Sequence, residues 1–198
     1  MAVTAVFLDV GETLADETAY WGSVADRIGI PRLTFFAGAG ALIARGERDH
    51  RRIFELFGVE PVEGDRGFTL YVDALPCLVR LREAGYLVGL AANQPDWAEA
   101  ALEAAGVDVD VVATSAALGV AKPAPEFFER IVSAAARPAA EIAYVGDRVD
   151  NDVEPALAAG MVAVHIRRGP WGYLQAGRER AHVRIDSLDE LPEALTGV

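Results

Sequence analysis

The chain has 198 residues, enough for one sizeable hydrophobic core or for a core domain with a small appendage. With 52% hydrophobic and 24% charged residues, its composition is that of a globular rather than a disordered protein. A formal net charge of −12 excludes the excess of positive surface that non-specific nucleic-acid or anionic-membrane binding needs, so neither nucleic acid nor membrane is expected as a partner.

No positive region precedes the first apolar stretch, which breaks after Leu8, and no segment reaches transmembrane length. A cytoplasmic protein is expected. Ala5 to Leu8 reads as a strand ending at Asp9, followed by turn chemistry in Gly11-Glu12-Thr13. From about Asp16 to Leu70 the texture changes. Aromatics recur at helical spacing (Tyr20 and Trp21, Phe35 and Phe36, Phe54 and Phe57), with Gly29-Ile30-Pro31 as a break and Gly64, Asp65 and Gly67 as a loop. Two to four short helices are predicted, a helical insertion over 16–70 with the aromatics as its own core.

Regular alternation begins at Tyr71. A helix through Leu75, Leu78, Val79 and Leu81 ends at Gly85, and within it Cys77 reads as a buried small hydrophobe. As the only cysteine it excludes an internal disulfide framework and fits a reducing compartment. Strand Leu87 to Ala91 follows, ending at Asn93; Asp96 with Glu99 has the spacing of a capping box for the next helix. Strand Val109 to Ala113 leads to a loop holding Lys122. A helix over about 125–135, strand Ile142 to Val145 ending at Asp147, a helix through Val153, Ala156 and Leu157, strand Val162 to Ile166 and a closing helix from Ser187 to Leu195 complete the pattern. Strands alternating with helices predict an α/β fold, a doubly wound parallel sheet formed by 1–15 and 71–198, carrying the small helical segment 16–70.

Ligands bind such sheets at the carboxyl ends of the strands, where Asp9, Asn93 and Asp147 all fall. Lys122 adds to this. Seventeen of the 18 basic residues are arginine, so the chain keeps a compact point-charge cation at one place only. Carboxylates gathered at one edge repel unless a cation bridges them. Asp9, Asp147 and Asp152 are therefore predicted to hold Mg²⁺, which suits oxygen-only ligands and substrate phosphate oxygens. Asp9 is the candidate nucleophile, and Lys122 the cation that steadies charge on a transferred phosphoryl group.

These phrases resemble the haloacid dehalogenase-like hydrolase superfamily over nearly the whole chain. The family's apolar strand ending DxDxT is matched by Asp9-Val10-Gly11-Glu12-Thr13, and its strand ending in Ser or Thr by Leu90-Ala91-Ala92-Asn93. Its lysine before prolines is matched by Lys122-Pro123-Ala124-Pro125, and its GDxxxND by Gly146-Asp147 with Asn151-Asp152. The resemblance implies a Rossmann-like core with a helical cap inserted after the first strand, and a Mg²⁺-dependent phosphatase of a small phosphorylated metabolite. It implies an aspartyl-phosphate on Asp9, Lys122 contacting Asp9 and the phosphoryl group, Asp147 as metal ligand, Asp152 as ligand or supporting carboxylate, and the Gly11 carbonyl as a further ligand.

Two positions depart from that pattern. Gly11 stands where the family's phosphatases carry a second aspartate as general acid/base, a function worth roughly a hundredfold to ten-thousandfold. Glu12 is adjacent but points elsewhere by one-residue displacement; Asp49, His50 or another cap residue is left as a substitute, although a lone histidine in Arg48-Asp49-His50-Arg51-Arg52 ordinarily marks a solvated helix face. Ala92 replaces a phosphate-binding hydroxyl, a loss of about 1 kcal/mol, which Asn93 and backbone N–H groups would partly replace as substrate-binding groups. Alternatives are a 2-haloacid dehalogenase, for which the acids around Asp147 are superfluous, and a phosphate- or partner-binding module that has lost turnover. Schiff-base phosphonate cleavage is disfavoured because 16–70 contains no lysine, and a signalling receiver would need no cap. Arg167-Arg168-Gly169-Pro170 and Trp171, following a strand end near the proposed site, read foremost as a structural loop with solvated arginines and second as a substrate contact.

Overall fold

A computed structural model describes residues 2–198. Strand β1 (Ala5–Leu8) turns into a two-residue β2 (Ala15–Asp16), which leads to helices α1 (Thr18–Arg27), α2 (Arg32–Ala44) and α3 (Arg52–Phe57) and returns through β3 (Thr69–Leu70). Then come α4 (Ala74–Glu83), β4 (Leu87–Ala92), α5 (Ala98–Ala104), β5 (Val111–Thr114), α6 (Ser115–Leu118) and α7 (Pro125–Ala135). Strand β6 (Ile142–Gly146) is followed by a π-helical turn over Val149–Val153, α8 (Glu154–Ala158), β7 (Val162–Ile166), α9 (Gly169–Leu174), β8 (Val183–Ile185) and α10 (Leu191–Ala194).

Six strands form one sheet in the order β5-β4-β1-β6-β7-β8, every neighbouring pair parallel. The winding reverses at β1, whose Ala5 lies opposite Leu87 on one side and Ile142 on the other. This is the doubly wound α/β sheet the sequence predicts. The apolar runs are continuous because alternate residues of each strand enter different layers. Val6, Leu8, Val88, Leu90, Ala143 and Val145 pack in the layer that holds Leu78 and Leu81 of α4. Ala5, Phe7, Ala91, Ile142 and Tyr144 pack against Phe127, Phe128 and Ile131 of α7. With both faces covered, the ends of the central strands are where polar chemistry can meet solvent.

Between β2 and β3, which pair antiparallel with Ala15 opposite Leu70, helices α1 to α3 enclose a separate apolar cluster of Val24, Ala25, Phe35, Ile53 and Phe54. Phe35 stacks between Trp21 and Phe57, with ring centroids 6.2 Å from each. The segment meets the core along several contacts, among them an Arg48–Glu154 ion pair and Phe68 packed on Trp97. The Arg148 guanidinium donates to the Arg48 carbonyl at 2.7 Å, and α2 runs so near α9 that a Cβ on Gly40 would lie 3.3 Å from Leu174 Cδ1.

Several local expectations need correction. Asp96 and Glu99 do not form a capping box: α5 begins after Trp97 without a side-chain cap, and Glu99 Oε1 instead accepts from the Thr114 hydroxyl at 2.8 Å. The strand expected from Val109 is β5 and starts at Val111, because the Asp110 carboxylate takes the Val88 N–H and Arg82 ahead of it. The closing helix over Ser187 to Leu195 is broken into 3₁₀ and α turns, although a capping box is present there between Ser187 and Glu190. Arg168 is not solvated. It forms an ion pair with Asp73, donates to the Thr13 carbonyl at 2.8 Å and lies 4.2 Å from the Tyr71 ring, while Asp73 also accepts from Ser187 and from the Leu188 N–H. Strand β8 and helix α9 went unread.

Candidate active site

Asp9, Asn93 and Asp147 each stand one residue beyond the end of β1, β4 and β6. The parallel register therefore places them side by side at one edge. Lys122, in the loop before α7, is 4% exposed and reaches the same point: Nζ lies 2.9 Å from Asp9 Oδ1 and 2.6 Å from Asp152 Oδ1. Asp152 arrives by the π-helical turn, whose Val153 N–H bonds the Arg148 carbonyl five residues back. A glycine precedes Asp147 for a steric reason, since a Cβ on Gly146 would lie 2.3 Å from Asp152 Cγ.

The ammonium has an aromatic backing that the sequence did not announce. Its Nζ is 5.4 Å from the centre of the Tyr144 ring, which is fixed by a 2.6 Å hydrogen bond from its hydroxyl to the Ala91 carbonyl. Burial would lower the Lys122 pKa, but Asp152 and Asp9 outweigh it and hold the group well above its ordinary value. Burial likewise raises Asp147 well above the carboxylate range, with repulsion from Asp152 and Asp9 adding to it. Asp152 is pushed up to about 6, chiefly by burial, against the attraction of Lys122.

The acids of Asp9, Asp147 and Asp152 offer oxygens that all lie within 4.8 Å of one another, and Asp147 Oδ2 is buried without a hydrogen-bond partner among the described residues. An oxygen-only donor set with an orphaned carboxylate oxygen fits a hard divalent cation such as Mg²⁺. Asp152 is the least free of the three, its Oδ1 taken by Lys122 and its Oδ2 by the Arg148 N–H at 3.0 Å.

Asn93 lines the same cavity, yet its amide first serves the lysine loop. Nδ2 donates to the Lys122 carbonyl at 2.9 Å and Oδ1 accepts from the Lys122 N–H at 2.8 Å. Ala92 is buried and offers no hydroxyl. Glu12 is buried with φ +51°; Oε2 accepts from the Tyr71 hydroxyl at 2.5 Å and Oε1 from the Glu17 N–H at 3.0 Å. His50 lies in the turn before α3, its ring packed edge-on to Trp21 at 5.6 Å. Trp171 lines the cavity and lies beneath the Arg148 guanidinium at 3.8 Å.

The cavity, about 970 Å³, lies between this edge and the helical segment, so that Trp21, Phe35 and Phe36 turn one side to their own core and another to the cavity. Glu17, which sequence reasoning passed over, projects into it. Burial pushes its carboxyl up to about 7, against the hydrogen bond from the Trp21 indole. These shifts carry a consequence for stability. Carboxyls whose folded pKa is raised bind protons more tightly folded than unfolded, so between about pH 4 and 7 stability rises as pH falls. Glu12, Glu17, Asp147 and Asp152 act in this sense; buried His165, and His50 on the exposed rim, have pKa values lowered by desolvation and act against them. In EDTA the melting temperature is expected to rise from pH 7.5 to pH 5.5. Excess Mg²⁺ should reduce that slope, because the ion binds the ionised carboxylates of the clustered aspartates in the folded state, while Glu12 and Glu17 keep their share. A metal-free melting temperature that falls over this interval would contradict the clustering of the acids.

Comparison with known proteins sets this geometry in context. Residues 3–160 match the model of the haloacid dehalogenase-like hydrolase family. Over 106 residues the chain is 37% identical to the glyceraldehyde 3-phosphate phosphatase of Methanopyrus kandleri, an alignment covering 51% of this chain and 45% of that protein. The chain thus spans less than half the length of that curated relative. The crystal structure of a HAD phosphatase from Thermococcus onnurineus superposes with a TM-score of 0.67 at 26% identity, covering 98% of this chain and 99% of the other. L-2-haloacid dehalogenase from Xanthobacter autotrophicus, with chloropropionic acid covalently bound, superposes with a TM-score of 0.72 at 17% identity, covering 99% of each chain, a likeness of fold alone. Among the described residues no helix is long and apolar enough to cross a membrane.

Proposed function

The chain belongs to the haloacid dehalogenase-like hydrolase family, and from that premise we propose that it is a Mg²⁺-dependent phosphatase of a small phosphorylated metabolite, working through an aspartyl-phosphate on Asp9. The observation that carries this reading is Lys122 Nζ seated between Asp9 and Asp152, beside a buried Asp147 oxygen that has no hydrogen-bond partner among the described residues. A haloacid substrate, whose halogen departs as halide, gives no reason to bury a third acid beside the nucleophile. The phosphatase function of the Methanopyrus relative and of the Thermococcus structure supports the same choice.

Each residue has a derivable task. Lys122 holds Asp9 at 2.9 Å and places a fixed positive charge where the phosphoryl group must approach, in a site dry enough for that charge to act. Asp9 attacks phosphorus, and water later releases the phosphate from it. Asp152 positions the ammonium and the Arg148 backbone rather than meeting substrate. Asp9, Asp147 and the Gly11 carbonyl would hold the ion, which when bound offsets the negative charge that phosphate brings to an acidic edge. Asn93 fixes the lysine loop, and together with neighbouring N–H groups would receive phosphate oxygens. Residues 16–70 act as a cap over a core of 1–15 and 71–198, and the cap's aromatic side would select the substrate's organic part.

Purified protein is expected to hydrolyse p-nitrophenyl phosphate with Mg²⁺ and to stop in excess EDTA. Full activity in EDTA would defeat the reading. Chloride release from 2-chloropropionate without metal would instead identify a dehalogenase. Absence of turnover, with phosphate or Mg²⁺ still raising the melting temperature, would leave a binding module.

A further inference from the structure

The position vacated at Gly11 is filled from elsewhere. A Cβ built on Gly11 would lie 2.5 Å from Glu17 Oε1 and 2.8 Å from Glu17 Cδ, so the carboxyl of Glu17 occupies the space into which a side chain at position 11 would grow. Both residues line the cavity that holds Asp9, Lys122 and Asp147. The carboxyl is oriented by one of its oxygens: Trp21 Nε1 donates to Oε2 at 3.1 Å, while Oε1 receives no hydrogen bond among the described residues. No Arg or Lys forms an ion pair with it there either. The backbone N–H of Glu17 is tied to Glu12 Oε1, which fixes the start of α1 against the turn that follows Asp9.

The other nearby candidates are otherwise engaged. Both oxygens of Glu12 accept hydrogen bonds, from Tyr71 and from Glu17. Asp49 Oδ1 accepts from the Arg51 N–H on the exposed rim, and His50 rests against Trp21.

We propose that Glu17, supplied by the first helix of the inserted segment, is the general acid/base for the phosphatase reaction in place of the side chain missing at Gly11. The assignment rests on the phosphatase reading above. As Asp9 Oδ bonds to phosphorus, the bond from phosphorus to the leaving oxygen breaks, and the proton of the Glu17 carboxyl passes to that oxygen, releasing an alcohol. Glu17, now ionised, takes a proton from the water that attacks the aspartyl-phosphate. The phosphorus–Asp9 bond breaks, phosphate leaves, and both carboxyls return to their starting states.

Leaving-group dependence tests this. Phenol is a poorer leaving group than p-nitrophenol and needs the proton more, and kcat/KM reports the steps through aspartyl-phosphate formation. Glu17→Gln is expected to lower kcat/KM for phenyl phosphate by roughly a hundredfold to ten-thousandfold. The loss for p-nitrophenyl phosphate should be at least about tenfold smaller, with kcat and KM falling together because water attack becomes slow. Glu17→Ala clears the space beside position 11, so adding Gly11→Asp in that background should recover most of the phenyl phosphate activity. Equal losses on both substrates, no loss on either, or an inactive Glu17→Ala/Gly11→Asp variant that folds as wild type does would each overturn the assignment while wild-type turnover leaves the phosphatase reading standing. If the wild type hydrolyses neither ester with Mg²⁺, both fall together.

Discussion

Replacing Asp9 by asparagine is expected to lower kcat for p-nitrophenyl phosphate by at least about 10⁴-fold, because an amide oxygen cannot carry the phosphoryl group and loss of a nucleophile removes the whole covalent route. Stability should respond in the opposite way. Asp9 is one of three acids whose oxygens lie within 4.8 Å of one another, and Lys122 keeps its 2.6 Å contact to Asp152 when Asp9 loses its charge. Removing one of three repelling charges leaves the ammonium paired, so the metal-free melting temperature is expected to stay level or rise. Steady-state kinetics and calorimetry on the same preparation separate the two effects. Wild-type rates in the Asp9→Asn protein would remove Asp9 from the chemistry.

Lys122→Met should damage both activity and stability. The ammonium is buried and offsets Asp9 and Asp152 directly, with Asp147 behind them. Taking away one partner of a buried ion pair leaves uncompensated charge and costs about 3–5 kcal/mol. For a chain of this size that is a fall in melting temperature of roughly 6–20 °C without metal. Mg²⁺ should recover part of it, because the ion can neutralise the same acids. Turnover is not expected to return, since the ion cannot also hold Asp9 from the lysine's side. A Lys122→Met protein melting within about 2 °C of wild type in EDTA would mean that the acids do not depend on the ammonium.

Much of the core was legible because it obeys simple periodicities. Ala5–Leu8 is an apolar run and Val162–Ile166 is one but for His165, and they appear as strands with the predicted ends. Pro125 at the first helical position marks the start of α7, and Gly85 lies just past α4 at φ +87°. What escaped was short or built across the fold. The three residues of β8 include an exposed Arg184, and nothing local separates them from a loop until β7 pairs with them. Glu99 has capping spacing, but a tertiary partner, Thr114, takes its carboxylate.

The candidate site divides along the same line. Asp9, Asn93, Lys122, Asp147 and Asp152 could be singled out because strand ends and an isolated lysine are features of the chain itself. Their roles beyond proximity stay proposals that the variants address. Glu17 could not be found that way. It sits six residues from Gly11, and only the turn through Glu12 and β2 folds its carboxyl back over the glycine. The available signal was indirect: an expected acid missing at position 11, and an unassigned acid at the mouth of the first inserted helix. Arg168 shows the converse. An arginine pair after a strand looks solvated on paper, but the buried Asp73 draws one of the two inward.

The choice of arginine at 17 of 18 basic positions leaves the protein with a single ε-amino group, and that group lies in the floor of the cavity at 4% exposure. Reductive alkylation, which passes over guanidinium groups, therefore has one side-chain address in the whole chain. Reaching it requires the floor to open and the ammonium to give up its proton against two carboxylates. Most lysine-rich enzymes would be labelled at their surface long before their centre; here the first ε-amine to react would be the one at the centre.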